Sequence, residues 1–273
     1  MATKKIPARL DVILAPKARR AVVLRRGPAK QVCTVGWDLS SDSFELGQWI
    51  EGRIHAYCCD LSADGEYFVY WIMKGHNHQG DYDWTAISRV PYLKAIARWK
   101  SSAGLPGGGL FVSDNKCRLH NIWYAYLACD EIIEEPNEPD DDFRYDLRNV
   151  YIRRQLRDGW KLHSKVGDVV GREVYRFEKP FGENRLLRNI FDDAEKIGLK
   201  RGDCPNEYEI VDSATGDVQS CRDWEWADID GSRLLWAEGG KIFAADIETR
   251  GLGPAKMLYD FNDMTFQEIE APY

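Results

Sequence analysis

The chain alternates short apolar runs with polar turns, and the clearest example lies between residues 55 and 74. The run HAYCCDL leads into the polar turn SADG at residues 62–65, and the run EYFVYWIMK follows it. An Asp-Gly turn between two apolar runs rich in aromatic and β-branched residues is a strong local signal for a β-hairpin. The pattern therefore predicts two antiparallel strands in this segment.

The same arrangement returns near the C-terminal end. Strand-like runs cover residues 224–229, 233–237 and 241–246, and the dipeptides Asp-Gly and Gly-Gly form the two turns between them. A fourth run covers residues 255–260. Four short antiparallel strands in such a stretch form a meander of the size of one propeller blade.

Weaker copies of the hairpin pattern occupy residues 107–120, 160–177 and 207–221. The segments DLSADGEYFVYWI and DIDGSRLLWAEGGKIFAADI resemble blades of β-propeller repeat proteins of the TolB and WD40-like type. The stretch WTAISRVPYLKAIARW, with GGGLF, is similar to an uncharacterised bacterial family of propeller type. The resemblance implies an all-β fold, an irregular β-propeller of about five to six small antiparallel blades. It also implies a single domain over residues 1–273.

Two segments interrupt the strand pattern. Residues 131–146 contain eight acidic residues and two prolines, which predicts an exposed loop. Residues 188–202 have apolar positions at 190, 194 and 197 before a glycine, which predicts one short helical insertion. The segment PYLKAIARW at residues 91–99 is compatible with a helical turn or with a strand.

Composition and charge narrow the function classes. Apolar residues make up 44% of the chain and charged residues 30%, which is typical of a globular protein. No apolar run approaches the about 20 residues of a spanning helix, so no membrane role is expected. Residues 1–30 carry nine basic residues against one acidic residue, while the chain as a whole has a net charge of −7. An acidic body disfavours nucleic-acid binding, apart from a basic arm that residues 1–20 could form.

The cysteines indicate a reducing compartment. Their number is seven, which is odd, no CxxC motif occurs, and several lie inside apolar runs. This usage is typical of free thiols that pack as small apolar side chains. We therefore expect a cytoplasmic protein with seven free thiols and no secretory signal.

The chemical motifs are sparse. The segment GHNHQGDYDW combines imidazole and carboxylate groups at His76, His78, Asp81 and Asp83, which are ligand types that a divalent metal accepts. A polar loop between two strands explains the same residues without a metal. The glycines of GLPGGG lack the Gly-Lys-Ser/Thr of a phosphate-binding loop, and no nucleophile signature occurs. No cofactor is therefore expected, with a divalent metal as the alternative.

Binding residues are the remaining candidates. Ten tryptophans recur through the chain, and most are expected to pack in the core. Trp84 and Trp224 adjoin polar loop residues and are the candidates for exposed binding side chains. The acidic segment supplies a second set of candidates for docking a basic protein partner, namely Glu134, Glu135, Asp140, Asp141 and Asp142.

Three functions remain open from the sequence. The favoured hypothesis is a non-enzymatic protein–protein interaction or scaffold module that presents loops on a propeller face. The second is a metal-assisted hydrolase that uses His76, His78, Asp81 and Asp83. The third is a carbohydrate-binding module that uses exposed tryptophans. Fold class alone does not decide among them.

Overall fold

The computed structural model describes residues 6–27, 31–73, 83–101, 106–136, 147–167, 172–193, 206–249 and 251–273. In these ranges the chain is all-β, with one α-helix, α1 (Leu147–Arg157), and a single 3-10 turn at Ala56–Cys58. The chain divides into two compact units. Unit 1 comprises Met1–Leu10 and Gln155–Asp263, and unit 2 comprises Asp11–Arg154 and Met264–Tyr273.

Unit 2 contains thirteen short strands, of which the first begins two residues before the unit does. They are β1 (Arg9–Leu14), β2 (Arg20–Arg26), β3 (Gln31–Asp38), β4 (Ser43–Glu51), β5 (Arg53–Ile54), β6 (Asp60–Leu61), β7 (Tyr67–Met73), β8 (Asp83–Arg89), β9 (Ala95–Ser101), β10 (Gly109–Phe111), β11 (Lys116–Leu119), β12 (Ile122–Leu127) and β13 (Ile133–Glu134).

These strands form three sheets. Sheet A has the order β1-β2-β3-β4, sheet B has the order β12-β9-β8-β7-β5 with β6 also on β7, and sheet C has the order β10-β11-β13. Sheets A and B share a buried apolar cluster that includes Val22, Leu24, Phe68 and Tyr70. Residues on the other face of sheet B, such as Ile87, pack against sheet C in a second cluster. Strand alternation separates the two clusters, because successive side chains of β7 point to opposite faces.

The hairpin predicted at residues 55–74 is confirmed over residues 60–73, whereas residues 56–58 form the 3-10 turn and residue 74 lies outside the described residues. Asp60 of β6 lies opposite Val69 of β7. The turn between them is closed by a hydrogen bond of 2.9 Å from the Gly65 amide to the Ser62 carbonyl. Gly65 has a φ of +76°, a conformation that favours glycine, which explains why the Asp-Gly dipeptide marks this turn.

Unit 1 contains ten strands in two antiparallel sheets. Sheet D has the order β14 (Lys161–Val166), β15 (Arg172–Phe181), β16 (Asn184–Asp193), β17 (Asn206–Asp212) and β18 (Val218–Cys221). Sheet E is built from β19 (Trp224–Asp230), β20 (Arg233–Glu238), β21 (Lys241–Glu248), β22 (Gly251–Leu252) and β23 (Lys256–Asp260). The predicted C-terminal meander and the predicted hairpins at 160–177 and 207–221 are therefore confirmed.

A buried charge network joins sheets D and E. The Nζ atom of Lys179 on β15 lies 2.7 Å from a carboxylate oxygen of Asp228 on β19. The Trp160 indole N–H donates to the other oxygen of the same carboxylate at 3.2 Å. Asp228 is 7% exposed and Trp160 is 2% exposed. A buried charge costs free energy unless it is paired and hydrogen-bonded, and Asp228 here has both kinds of partner.

The predicted helix at residues 188–202 is wrong where the structure describes it. Residues 188–193 belong to β16, which pairs with β15 on one side and with β17 on the other. Two flanking ladders satisfy the backbone of a central strand, and this pairing outweighs a weak helical spacing. Residues 194–202 lie outside the described residues. The helix in the described residues is α1, where Leu147, Val150 and Tyr151 recur at helical spacing.

The acidic segment is only partly a loop. Ile133 and Glu134 form β13, which pairs in parallel with β11. Residues 137–146 lie outside the described residues. The segment at 91–99, which the pattern left open, enters strand β9 at Ala95.

The fold class is confirmed as all-β, built from small, mostly antiparallel sheets, and the helix that interrupts them is α1 and not the predicted one. The single-domain assignment and the blade number stay predictions. No helix in the described ranges combines the length and the apolar character needed to cross a membrane.

Candidate functional site

A cleft of about 460 Å³ lies in unit 2 between sheets A and B. One wall comes from β2 and from the β3–β4 hairpin, and the other comes from the turn before β7 and from the residues that follow β8. The lining residues are Arg20, Ala21, Gly36, Trp37, Asp38, Ser43, Glu45, Gly65, Glu66, Arg89, Val90 and Pro91. Five of these twelve side chains carry a formal charge, so the cleft is suited to a charged ligand.

The β3–β4 hairpin places two carboxylates on the same face. Gly36 lies opposite Glu45, and Asp38 lies opposite Ser43. Because side chains alternate along a strand, Gly36, Asp38 and Glu45 share one face of sheet A. Diagonal neighbours on such a face are about 7–8 Å apart. Two carboxylates therefore flank a stretch of backbone that carries no side chain of its own at Gly36.

Among the residues that the structure describes, no cation of the cleft pairs with these two carboxylates. Arg20 pairs with Glu66 at 3.5 Å. Arg89 pairs with Glu131, which lies outside the lining. For Asp38 and Glu45 the structure describes hydrogen bonds only, so the net character of the cleft is acidic.

Hydrogen bonds fix both carboxylates. The Ser40 amide donates to Asp38 at 2.8 Å. This bond, with further bonds from the serines of the turn, lowers the pKa of Asp38. The Tyr92 hydroxyl donates to Glu45 at 3.2 Å. Burial of that hydroxyl, together with the neighbouring charge of Glu45, raises the pKa of Tyr92. Asp38 is therefore ionised under ordinary conditions, and Tyr92 keeps its donor proton.

The opposite wall of the cleft is held by close backbone contacts. The Pro91 carbonyl accepts a hydrogen bond from the Thr34 hydroxyl. It lies so close to Gly47 that a Cβ atom there would come within 2.0 Å of the oxygen. Gln48 holds the next residues, since its side-chain oxygen accepts from the amides of Leu93 and Lys94 at 2.8 Å each. The wall is thus built on the bulged segment of β4, and its position depends on a glycine.

The tryptophans chosen from the sequence are half-buried. Trp84 is the second residue of β8 and packs against the cluster between sheets A and B. Its ring centroid lies 5.8 Å from the Arg98 guanidinium. Trp224 stacks on Trp236 with ring centroids 5.1 Å apart. Neither belongs to the lining of the cleft.

The acidic and metal candidates are dispersed or lie outside the described residues. Glu134 is exposed as a residue, but burial of its carboxyl raises its pKa, and the Trp99 side chain hydrogen-bonds to it. Glu135 is half-buried beside β11. Asp83 is the first residue of β8. The candidates outside the described residues are Asp140, Asp141, Asp142, His76, His78 and Asp81.

No group of three or more metal-ligating side chains occurs in the part of the chain that the structure describes. The metal hypothesis therefore stays a prediction on residues whose arrangement is not described. The described cysteines are all free thiols, namely Cys33, Cys58, Cys59, Cys117, Cys129 and Cys221. Burial raises the pKa of Cys33 and of Cys59 to about 12 and that of Cys221 to about 11. Such thiols are poor nucleophiles, because the thiolate is the reactive form.

Sequence reasoning missed the cleft. Its residues come from four separate segments, and none of the motifs considered in the sequence includes them together. A usable signal was the spacing of Gly36, Asp38 and Glu45 around that turn, since hairpin pairing brings these positions onto one face.

By its fold the chain is an all-β protein, built from small and mostly antiparallel sheets. No protein-family model and no curated protein matches the sequence. An uncharacterized protein of Listeria monocytogenes aligns with a TM-score of 0.39 at 8% identity, over 94% of this chain and 97% of that one. The β-propeller domain of the Trilobed protease from Pyrococcus furiosus aligns with a TM-score of 0.31 at 12% identity, over 95% and 83%.

Prolyl oligopeptidase B from Galerina marginata aligns with a TM-score of 0.23 at 10% identity, over 93% of this chain. The chain spans about a third of that protein, 34% of its length. These TM-scores are too low to support an argument about fold or function. The all-β assignment rests on the strands of the chain itself.

Proposed function

We propose that the protein is a non-enzymatic protein-interaction module that binds a basic segment of a partner protein in the acidic cleft of unit 2. The observation that carries the proposal is the pair of carboxylates, Asp38 and Glu45, which share one face of the β3–β4 hairpin and have no cationic partner in the structure. A lysine or arginine side chain of the partner supplies that charge. The same two carboxylates repel segments with strong negative charge.

The form of the cleft supports a protein ligand. A volume of about 460 Å³ accommodates a few side chains. The walls are held by backbone contacts at Pro91 and Gly47, so little ordering is required when a ligand binds. Complementary charge steers such an encounter and makes it weaker as salt increases.

The experiment measures the affinity of the full-length protein for a fluorescein-labelled peptide of alternating lysine and glycine, by fluorescence anisotropy. The test variant is Asp38→Asn with Glu45→Gln, which keeps the hydrogen-bond acceptors of both side chains. We expect the affinity to fall several-fold, since the variant removes both exposed carboxylate charges that attract the lysines of the peptide. Raising the salt concentration should lower the affinity of the unchanged protein in the same direction.

The matched control is Asp217→Asn with Glu248→Gln, which removes two exposed acids from unit 1 and changes the net charge by the same amount. The control should bind like the unchanged protein. Equal binding by the test variant, or equal losses in both variants, would overturn the proposal, because the attraction would then be general.

The other hypotheses lack an observation that favours them. Stacking on Trp236 occupies one face of Trp224, and Trp84 packs into a core cluster, so no open aromatic platform for a sugar is described. The metal-assisted hydrolase stays a prediction, because His76, His78 and Asp81 lie outside the described residues. The cytoplasmic location likewise remains a proposal, which the free described cysteines support.

A further inference from the structure

The segment of residues 264–273 lies on unit 2 as an extended peptide without regular secondary structure. Three contacts hold its main chain and the Phe266 side chain. Arg25 donates to the Met264 carbonyl at 3.3 Å, and the Gln48 amide donates to the Ile269 carbonyl at 2.7 Å. Phe266 meets Trp49 at 6.2 Å between ring centroids but stays 53% exposed.

Tyr273 is the best-held residue of this segment. Its hydroxyl accepts a hydrogen bond from the Arg89 amide at 3.0 Å and donates to the Lys94 carbonyl at 2.8 Å. The Arg89 guanidinium lies 5.8 Å from the ring centroid, and the Lys94 ammonium lies 5.5 Å from it. Tyr92 adds an edge-on ring contact at 6.2 Å. We call this arrangement the tyrosine socket.

The socket adjoins the acidic cleft. Arg89 lines the cleft and also forms one side of the socket. Tyr92 donates to Glu45 in the cleft and contacts Tyr273 in the socket. An extended ligand that leaves the cleft along this wall therefore reaches the socket. There a tyrosine side chain can hydrogen-bond to the Arg89 amide and the Lys94 carbonyl and can contact the cationic groups of the same two residues.

We propose that the tyrosine socket is a recognition site for a tyrosine-bearing segment of a partner protein, and that residues 264–273 occupy it as a tethered competitor. The proposal rests on the proposed function, because the partner is the one that enters the cleft. Residues 264–273 suit the role of a displaceable occupant. They form no strand pairing and most of their side chains are exposed, and their contacts are concentrated at Tyr273, so the segment can open locally once this one anchor is released.

The experiment uses the full-length protein and a labelled peptide of the sequence MTFQEIEAPY, acetylated and amidated. In the unchanged protein the tethered segment competes at a high effective concentration, so the peptide should bind weakly. Tyr273→Ala removes the anchor of the competitor and leaves the socket residues in place. We expect its affinity for the peptide to be at least about 10-fold higher, as follows when a mostly occupied site becomes free.

Two controls keep the test specific. Glu268→Gln changes an exposed position of the same segment and should bind like the unchanged protein. A peptide with alanine in place of its tyrosine should not bind Tyr273→Ala. Tyr273→Phe keeps the ring and loses both hydroxyl hydrogen bonds, so its affinity should be intermediate. This variant also serves if Tyr273→Ala proves unstable in thermal unfolding.

The socket proposal is overturned if neither Tyr273 variant binds the peptide better than the unchanged protein, or if the alanine peptide binds equally well. Failure of the proposed function has a different result. In that case the lysine–glycine peptide is indifferent to Asp38→Asn with Glu45→Gln, whatever the tyrosine peptide does.

Discussion

The two units join their sheets by different physical means. In unit 2, apolar side chains fill the spaces between sheets A, B and C, and glycines allow backbone segments to approach closely. In unit 1, the link between sheets D and E includes the ion pair of Lys179 and Asp228, with Trp160 as a third partner. Sheets D and E also bury apolar side chains, such as Phe177, Leu186 and Leu235, so in unit 1 a satisfied buried charge is added to apolar packing.

The two ways of joining sheets should respond differently to mutation. Apolar packing fails mainly when volume is added or removed. A buried ion pair fails when one partner is lost, because the remaining charge then stays buried without compensation. Single substitutions in each unit, followed by hydrogen exchange over the whole chain, can therefore separate the two mechanisms.

The largest effect is expected for Asp228→Ala in unit 1. The substitution leaves the Lys179 ammonium and the Trp160 indole N–H without their shared acceptor. We expect the free energy of unfolding of unit 1 to fall by about 3–5 kcal/mol. Urea unfolding gives the size of the change, and hydrogen exchange should locate it in sheets D and E.

The double variant Lys179→Met with Asp228→Leu sharpens this prediction. Replacing a buried ion pair by apolar residues is often neutral or stabilising. If the double variant is as unstable as Asp228→Ala, the loss comes from the donors that Asp228 accepts from, the Trp160 indole and the Ile229 amide, and not from the unpaired charge of Lys179. The proposed contrast between the two units is then wrong.

The next effect is expected for Gly47→Ala in unit 2. A Cβ atom at this position would meet the Pro91 carbonyl oxygen at 2.0 Å and the Thr34 carbonyl oxygen at 2.7 Å. Backbone atoms cannot rotate away as a side chain does, so the cleft wall has to move. We expect a loss of about 3 kcal/mol in thermal or urea unfolding, since overpacking a fitted contact has costs of this order.

The control for Gly47→Ala is Gly27→Ala, also in unit 2. Gly27 has a φ of +87° and no atom within 4 Å of an added Cβ, so its cost is conformational only. About 1–2 kcal/mol is expected for this left-handed position. Equal losses in the two variants would show that steric contact at Pro91 does not control the wall.

The smallest effect concerns two acids of one segment, Glu131 and Glu134. Glu131 accepts the Tyr67 hydroxyl at 2.8 Å and pairs with Arg89, so Glu131→Gln should reduce stability by up to about 1 kcal/mol at neutral pH. Glu134→Gln should not reduce it, because burial raises the pKa of Glu134 and the fold favours its neutral form.

The sign of the stability change in Glu134→Gln can be checked by varying the pH. A carboxyl whose pKa is higher in the folded state than in the unfolded state contributes stability that is lost as the pH increases through the folded-state pKa. Glu134→Gln should therefore gain relative to the unchanged protein between acidic and neutral pH in thermal melts. A loss on that interval would show that the hydrogen bond from Trp99 outweighs the effect of burial.

The sequence located most strands because their signals are local. The Asp-Gly turns at 64–65 and 230–231 and the Gly-Gly turn at 239–240 supply glycines whose φ values are positive, and apolar runs flank them. The same reasoning failed at β16, where residues 188–190 pair with two neighbouring strands and residues 191–193 pair with β15, and this pairing decided their conformation. It also missed α1, although the spacing of Leu147, Val150 and Tyr151 was visible in the sequence.

The sequence by itself determined the all-β class, the turns and the apolar faces of the strands, because dihedral preferences and side-chain alternation act between near neighbours. Tertiary structure decided which segments meet. The acidic cleft brings together β2, the β3–β4 hairpin, the turn before β7 and the residues after β8, and the tyrosine socket joins residues 89–94 to residue 273. No local signal encodes these pairings, because they depend on how sheets pack against each other and on glycines, such as Gly47, that permit the contact.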